Sequence, residues 1–289
     1  MDKRNIVIGT DFTERDGSAN ILEAVIDRIN PEVKVLSLSH YAGSIEEMAF
    51  YLLVYHVDHR PGTIFVAVVD PGVGTERKML LVECEKYCFI GPDNGILWPV
   101  LEVTKPSRAI ALDGKKVRIM ADYVCNGDGY FRRPTSDVFH AKDFFIPAAA
   151  LVSRGMPPEK LGEDVDWERL TKLSFQPKSR GNKLIGKVAV VDAWGNIVTT
   201  VTKSKFDAFV KDSREWIISV DGKKEPKITK MVRTFADGKP DIILAHAGGD
   251  FPHPDINEGS FITLFIDQGN ASETLGGVEP GTKIVVERR

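Results

Sequence analysis

The first 70 residues alternate between short apolar runs and longer stretches with helical spacing. Three β-branched, apolar runs have the length of buried strands: residues 5–9, 33–38 and 63–69. Between them, apolar side chains recur every three or four residues over 18–29 and 45–59. We predict two helices there, capped by Ser18 and Ser44. This alternation predicts an α/β N-terminal domain with a mostly parallel central sheet.

The pattern becomes less regular after residue 70. Two short apolar runs predict further strands: residues 79–83 and 87–90. The glycine-flanked segment 91–95 has the composition of a turn, and 113–134 shows no firm period, so we expect a surface excursion there. A further helix is predicted from a cap at Asp143 to about residue 154. His140 then lies at a helix N-terminus, where it could cap, pack or catalyse.

A polar, aperiodic segment at 173–183 marks the predicted boundary between two domains, 1–175 and 184–289. Beyond it, short apolar runs separated by turn residues replace the helical spacing. They predict strands at 184–191, 197–201, 216–220, 241–245, 260–267 and 283–287. The second domain is therefore expected to be a small antiparallel β domain.

Composition excludes several classes of function. The 289 residues include 38 basic and 41 acidic side chains, and the formal net charge of -3 does not favour binding to nucleic acid or to an anionic membrane. No apolar run approaches the length of a membrane span, and the N-terminal residues do not resemble a signal peptide, so we expect a cytoplasmic protein. The spacing of His246, Asp250 and His253 matches no defined metal site, and flexible loop residues are the favoured interpretation.

The stretch 68–78 concentrates candidate chemistry. Asp70 directly follows a predicted buried strand, at the sheet edge where α/β proteins bind ligands. Gly72 and Gly74 shape a turn that can approach a ligand closely, and Arg77 can return toward Asp70. A loop salt bridge explains this pair as well as catalysis does. In the second domain, residues 192–196 place an acid, an aromatic ring and an amide at one rim, where a hairpin turn is an equal explanation.

Six motifs, taken in order, resemble those of one enzyme family. They are Thr10-Asp11-Phe12 with Asp16, Val69-Asp70-Pro71-Gly72-Val73-Gly74 with Arg77, Gly91-Pro92-Asp93-Asn94-Gly95, Phe139-His140 with Asp143, Asp192 with Gly195-Asn196, and Gly269-Asn270-Ala271. The family is the S-adenosyl-L-methionine (SAM) hydroxide adenosyltransferases, or SAM hydrolases, relatives of the fluorinating and chlorinating adenosyl enzymes. The resemblance covers most of both domains. It implies a C-terminal antiparallel β-barrel and a homotrimer that binds SAM between the first domain of one subunit and the second domain of its neighbour.

The resemblance also implies a reaction and a set of site residues. The reaction converts SAM and water to adenosine and L-methionine by in-line attack on the ribose 5′ carbon, with no metal or second cofactor. The matching catalytic residues are Asp70, Arg77 and His140, which would hold and polarise the water. The matching substrate-binding residues are Asp11 and Asp16 in the ribose loop, Asp192 and Asn196 for the methionine ammonium, Ser260 for its carboxylate, and Phe261, Asn270 and Ala271 near the adenine.

Two alternatives stay open at the level of sequence. One is a halide-dependent adenosyl enzyme. Two differences argue against it: His140 occupies the position where the fluorinating enzymes have an aromatic residue, and Val73 occupies the position where they have threonine. A halide would find fewer donors in this chain. The other alternative is a non-catalytic sensor of SAM or adenosine. The intact set of Asp70, Arg77 and His140 argues against the sensor, because binding alone does not need a group that holds water.

Overall fold

The computed structural model divides the chain into two compact units, Met1–Leu173 and Ser174–Arg289. The residues that it describes are 5–13, 15, 17–213, 215–221, 227–248 and 251–289. Each unit has its own sheet and its own hydrophobic core. Within the described ranges, no helix is both long enough and apolar enough to cross a membrane.

The first unit is built on one mixed sheet. Its strands are β1 (Ile6–Thr10), β2 (Val35–Ser39), β3 (Ile64–Val68), β4 (Met79–Glu83), β5 (Cys88–Pro92), β6 (Arg108–Leu112) and β7 (Gly162–Asp164). They lie in the order β2-β1-β3-β5-β4-β6-β7. The pairs β1–β2, β1–β3 and β3–β5 are parallel, whereas β4–β5, β4–β6 and β6–β7 are antiparallel. The prediction of a mostly parallel sheet therefore holds for one half of the sheet and is wrong for the other.

A short turn explains why the sheet changes direction. Only residues 84–87 separate β4 from β5, and the Cys84 amide donates to the Tyr87 carbonyl across this turn at 2.9 Å. So short a connection joins antiparallel strands, because a parallel pair needs a crossover of a dozen or more residues. Strands β1, β3 and β5 remain parallel neighbours, so their carboxyl ends share one edge of the sheet.

The α-helices of the first unit are α1 (Ser18–Ile29), α2 (Ile45–Tyr55), α3 (Trp98–Thr104), α4 (Gly114–Val124) and α5 (Ile146–Ser153). Short 3₁₀ turns lie at His56–Asp58, Tyr130–Arg132, Pro158–Lys160 and Trp167–Arg169. Ser44 caps α2 as predicted, since its hydroxyl accepts a hydrogen bond from the Glu47 amide at 3.1 Å. The predicted cap at Ser18 is wrong. Gly17 occupies the N-cap in a left-handed conformation that glycine adopts easily, and Ser18 is already helical.

Helix α4 occupies much of the segment that was expected to be a surface excursion. Asp113 caps it, because its Oδ1 accepts from the amides of Lys115 at 2.8 Å and Lys116 at 3.1 Å. Val117 and Ala121, four residues apart, are buried in the core of the unit. Two buried positions on an otherwise polar helix give a weak periodic signal, so the sequence pattern did not predict α4.

The segment after His140 is a π-helix, Ala141–Phe145, which continues directly into α5. His140 occupies the N-cap of this π-helix, so its predicted place at a helix N-terminus is confirmed. Asp143 does not cap the helix, contrary to the prediction. It lies inside the π-helix, is 5% exposed, and accepts a hydrogen bond from the Ser136 amide at 2.7 Å. The helix begins earlier than predicted because the π-helical turn precedes α5.

The second unit is built on a second sheet. Its strands are β8 (Lys178–Arg180), β9 (Lys183–Val191), β10 (Ile197–Thr202), β11 (Trp216–Val220), β12 (Met231–Val232), β13 (Leu244–His246), β14 (Phe261–Phe265) and β15 (Lys283–Arg288). They lie in the order β11-β15-β9-β10-β14-β13-β12, and β8 pairs with β9. The pairs are antiparallel up to β13, which pairs with β12 in parallel. The helices of this unit are α6 (Lys203–Val210) and α7 (Ala271–Thr274), with 3₁₀ turns at Phe235–Asp237 and Ile256–Glu258.

Candidate active site

Three side chains meet beyond the carboxyl end of β3. Nε of Arg77 donates to both carboxylate oxygens of Asp70 at 2.7 Å, and Nη2 of Arg77 also donates to Oδ2. The same Nη2 lies 3.2 Å from Nδ1 of His140. The predicted return of Arg77 to Asp70 is confirmed, and His140 joins the pair. The side chains of Asp70 and Arg77 are only 5% and 9% exposed, so solvent screens their attraction less than that of a surface ion pair.

The turn between Asp70 and Arg77 is tight and depends on Gly74. The Val73 amide donates to the Asp70 carbonyl at 3.1 Å, which closes the turn. Gly74 has a φ of 83°, and a Cβ on it would lie 3.0 Å from the Asp137 carbonyl oxygen. Only glycine combines that backbone conformation with so close an approach. The Asp70 loop therefore passes directly against the backbone of the segment that leads to His140.

The contact with Arg77 fixes the protonation state of His140. A guanidinium group carries donors and no acceptor, so Nδ1 of His140 accepts and the ring proton is on Nε2. Burial lowers the pKa of His140 from its usual 6.5, and the positive charge of Arg77 lowers it further. The negative charges of Asp70, Asp143 and Asp137 act in the opposite direction without reversing the shift. His140 is therefore neutral at neutral pH and has an N–H to donate.

Asp11 emerges beside Asp70 at the same edge of the sheet. Strands β1 and β3 are paired with Thr10 opposite Val68, so the residues that follow leave neighbouring strands about 5 Å apart. Partial burial raises the pKa of Asp11, and the negative charge of Asp70 raises it further. The structure thus brings Asp11 together with the Asp70 group. Asp16, which was predicted in the same loop, lies outside the described residues.

Two contacts hold the Asp11 loop in place. Phe12 packs edge-to-face against Phe139, with ring centroids 5.3 Å apart, and so joins this loop to the residue before His140. On the other side, Thr10 Oγ1 accepts from the Phe12 amide at 3.2 Å and lies 2.9 Å from Nδ1 of the buried His40. The sequence singled out neither contact, because the partners are distant in the chain and carry no shared motif.

In the second unit, Asp192 organises the turn that ends at Asn196. Its Oδ1 accepts from the amides of Trp194 and Asn196, each at 2.9 Å. Its Oδ2 accepts from the side-chain Nδ2 of Asn196 at 2.9 Å. The acid and the amide therefore form one fixed unit, as the hairpin interpretation requires. Their orientation also leaves further lone pairs of the carboxylate for a cationic ligand.

The same turn packs against the start of α7. The side chain of Asn270 lies against the α-carbon of Gly195, whose φ of 79° and missing Cβ leave room for it. The Ser272 amide donates to the Gly195 carbonyl at 3.0 Å, and Ala271, the first residue of α7, is fully buried. Asn270 and Ala271 are thus brought to the turn of Asp192 and Asn196.

A cavity of about 570 Å³ opens beside this turn. Its lining includes Trp194, Asn196, Phe235, Phe265 and Asp267. Aromatic walls with a few polar groups are typical of small-molecule sites, and the volume lies within their usual range. The sequence placed Trp194 and Asn196 at this rim but missed Phe235 and Asp267, which come from other turns of the sheet.

Ser260 and Phe261 are not brought to that turn. Strand β14 pairs with β10 so that Phe261 lies opposite Thr202, whereas Leu264 lies opposite Ile197, the residue after Asn196. The two predicted residues are therefore at the other end of the strand pair. Phe261 is also only 3% exposed, and its ring packs against His253 with centroids 5.4 Å apart.

The possible metal ligands that the sequence offers in the second unit are His246, Asp250 and His253. In the part of the chain that the structure describes, no group of three or more His, Cys, Asp or Glu side chains could hold a metal ion. His246 is 2% exposed and packs against the rings of Phe235 and Phe265. Asp250 lies outside the described residues.

Two family models match this chain. The SAM hydroxide adenosyltransferase N-terminal domain matches residues 6–162, and the C-terminal domain of the same family matches residues 186–285. The chain belongs to the SAM hydroxide adenosyltransferase family. The matches include both the Asp70 group and the turn of Asp192 and Asn196.

The chain is similar to named enzymes and to a protein of known structure. The (R)-S-adenosyl-L-methionine hydrolase of Thermus thermophilus is 30% identical over 278 residues, which cover 94% of this chain and 96% of the relative. The enzyme with that description from Salinispora tropica is 27% identical over 282 residues, covering 96% and 95% of the two chains. A crystal structure of an uncharacterized conserved protein from Thermotoga maritima superimposes with a TM-score of 0.79 at 27% identity, covering 98% of this chain and 100% of that one.

In this SAM hydroxide adenosyltransferase, the 91–95 motif supports the Asp70 loop. Nδ2 of Asn94 donates to the Val69 carbonyl at 2.9 Å, directly before Asp70. Its Oδ1 accepts from the Ile96 amide at 3.2 Å, which fixes the orientation of the side chain. Turn composition alone predicted a turn here. The position of Asn94 after β5 is the signal that could have placed it beside the Asp70 loop, because β5 pairs in parallel with β3.

Proposed function

We propose that this protein hydrolyses SAM to adenosine and L-methionine by in-line attack of water on the ribose 5′ carbon. The observation that carries the proposal is the hydrogen-bonded group of Asp70, Arg77 and His140 at the carboxyl end of β3. Relatives that align over almost the whole chain are described as SAM hydrolases, which supports the same substrate here. We further propose that the substrate of this chain is SAM with the (R) configuration at its sulfonium, the form named in the description of those relatives.

The reaction suits a site made of hydrogen-bond donors. The sulfonium of SAM leaves as a neutral thioether when the C5′–S bond breaks, so the leaving group needs no proton. The new C5′–O bond forms from water, and one proton is released to solvent. Catalysis must therefore orient the oxygen nucleophile behind C5′ and favour its deprotonated form. For this reason we propose that no metal or second cofactor takes part.

Each member of the group has a distinct role in this proposal. His140 is neutral and protonated on Nε2, so it donates to the nucleophile and does not act as a base at that nitrogen. Arg77 supplies positive charge that favours hydroxide over water. Asp70 fixes the guanidinium of Arg77 through three hydrogen bonds and can accept one from the nucleophile. Together they form a site that prefers an oxygen anion close to the electrophilic carbon.

The substrate is held from both of its ends in this proposal. Asp11 accepts hydrogen bonds from the two ribose hydroxyls, for which a carboxylate is well suited. Asp192 and Asn196 bind the ammonium of the methionine moiety, and the adjoining cavity of about 570 Å³ accepts part of the substrate. The roles of Asp16 and Ser260 stay predictions. The burial of Phe261 favours a structural role for its ring over contact with adenine.

We further propose that the active protein is a homotrimer in which the second unit of one copy completes the site of its neighbour. Its support is the division of the candidate residues between two units that each fold around a separate core. We also propose that the second sheet closes into a small barrel, which the antiparallel bridge between Ile218 and Ile228 supports. A cytoplasmic location stays a prediction.

The deciding experiment identifies the nucleoside that the purified protein forms from SAM. Each sulfonium epimer is incubated separately, with and without chloride or fluoride, after removal of metals by a chelator. Equal amounts of adenosine and methionine from the (R) epimer, independent of halide and of chelation, are expected. A 5′-halo nucleoside would replace the proposal with a halide-dependent enzyme. Unreacted SAM that stays tightly bound would replace it with a sensor.

A further inference from the structure

A buried carboxylate, that of Asp143, lies three residues after His140 in the chain. Asp143 is 5% exposed and sits in the π-helix Ala141–Phe145, whose N-cap is His140. An ionised carboxylate is unfavourable in a protein interior unless hydrogen bonds and opposite charges compensate it. An apolar side chain would fill the same space without that cost. The charge at this position therefore calls for an explanation beyond packing.

Groups on both sides of His140 converge on Asp143. Its Oδ2 accepts from the Ser136 amide at 2.7 Å, and Ser136 precedes His140 by four residues. Its Oδ1 lies 3.2 Å from Nζ of Lys142 and 3.5 Å from Nη1 of Arg118. Through these contacts Asp143 links the segment before His140 to the π-helix after it, and Arg118 links Asp143 to α4.

The contacts around His140 control where its imidazole ring lies. The ring of His140 contacts Phe144 of the π-helix with centroids 5.1 Å apart, while its Nδ1 meets Arg77 at 3.2 Å. A π-helix is rare and closes its hydrogen bonds over one residue more than an α-helix does, so we expect it to need specific contacts to persist. We infer that Asp143 and Arg118 are positioning residues, whose buried ion pair holds the π-helix so that Nδ1 of His140 meets Arg77. This inference rests on the proposed function only for its effect on turnover.

The surface beside α4 gives a way to test the role of Arg118. A cavity of about 520 Å³ is lined by Arg118, Phe144, Arg132 and Asp122, among others. A small cation can therefore reach the place that the guanidinium of Arg118 leaves when it is truncated. Arg132 provides a matched control in the same cavity. Its ion pair, at 2.8 Å, is with Asp122 on α4 itself and not with the π-helix.

The experiment compares Arg118→Ala with Arg132→Ala in the full-length protein. We expect Arg118→Ala to lower kcat by about tenfold or more with little change in KM, as removal of an orienting group does. Millimolar guanidinium chloride should restore part of that loss, whereas sodium chloride of equal ionic strength should not. Arg132→Ala should keep the wild-type kcat and show no response to guanidinium. Wild-type kcat in Arg118→Ala, or equal losses in both variants, would overturn the inference.

A second readout separates this inference from the proposed reaction. ¹⁵N NMR of the imidazole ring reports whether His140 carries its proton on Nε2, and it needs no turnover. We expect the wild type to show that tautomer alone, and Arg118→Ala and Asp143→Asn to show a mixture at the same pH. Asp143→Asn keeps an acceptor for the Ser136 amide but removes the charge, so it is the milder change if Arg118→Ala fails to fold. An unmixed Nε2 tautomer in folded Asp143→Asn would overturn the positioning role, even if SAM proves not to be the substrate.

Discussion

Nδ1 of His140 accepts a hydrogen bond from Nη2 of Arg77 over 3.2 Å, and this contact determines what His140 can do. Because Arg77 is also bound to Asp70 through both carboxylate oxygens, its orientation is fixed before any substrate arrives. The imidazole therefore presents a donor and not a base. In the proposed reaction, this donor binds the oxygen nucleophile and stabilises negative charge on it.

His140 should be neutral at pH 6.5, with its proton on Nε2. Its pKa lies below the usual 6.5 because of burial and the nearby Arg77, so protonation occurs only as the pH falls below 6.5. Turnover should then decline with falling pH, because an imidazolium loses the acceptor for Arg77 and repels it. A ¹⁵N NMR titration of the ring, run beside the pH profile of kcat, checks both points. A titration midpoint above 6.5 would contradict the assignment.

Asp70→Ala should abolish turnover and leave SAM binding largely intact. The carboxylate orients Arg77 and accepts from the nucleophile, so we expect a loss of about 10²- to 10⁴-fold in kcat. Calorimetry with SAM measures the binding. Glu76→Gln is the matched control, because Glu76 is an exposed acid of the same loop and should be dispensable. Wild-type turnover in Asp70→Ala would refute its proposed role.

Asp11→Asn should raise KM more than it lowers kcat. Two hydrogen bonds from the ribose hydroxyls to a charged acceptor are weakened, and each charge-assisted bond is worth about 1.5–3 kcal/mol. The raised pKa of Asp11 adds a pH test. Binding needs the ionised form, so KM should rise as the pH falls, starting from a higher pH than the usual aspartate pKa of 3.8 would give. Steady-state kinetics across pH check this prediction. The KM of Asp11→Asn should not show the same rise with falling pH.

Gly74→Ala should destabilise the protein and impair catalysis together. An alanine at a φ of 83°, with its Cβ 3.0 Å from the Asp137 carbonyl, is strained and pushes the Asp70 loop away from the His140 segment. The expected loss is about 1–2 kcal/mol in the free energy of unfolding, measured in urea. Gly72→Ala is the control, since a Cβ there meets its nearest atoms at an ordinary 3.7 Å. Equal behaviour of the two variants would argue against this account.

Mixed trimers of Asp70→Ala and Asp192→Ala should regain activity. If each site combines the first unit of one copy with the second unit of its neighbour, a random mixture restores roughly a quarter of the sites. Each variant alone should be inactive or nearly so. Co-expression with two different tags isolates the mixed species, and native mass spectrometry gives their stoichiometry. Absence of recovery in verified mixed trimers would place both residues in the site of a single copy.

Short-range patterns predicted the elements around the site well. The apolar runs predicted β1, β2 and β3 within about two residues, and Asp70 was correctly placed at the carboxyl end of β3. Helix α4 escaped prediction because only Val117 and Ala121 are buried along it. Asp143 was mistaken for a cap because its sequence position suits one, while its burial depends on Ser136 and Arg118.

The sequence by itself determined which strands the candidate residues Asp11 and Asp70 follow, because strand and helix periodicity are local and the motifs lie at element ends. Only the tertiary structure decided that β4 lies antiparallel between β5 and β6, since strand order depends on pairing between distant segments. It also decided that Nδ1 of His140 faces Arg77, 63 residues away, and so which ring nitrogen carries the proton. Burial and charge from remote residues set that state, and no local pattern encodes them.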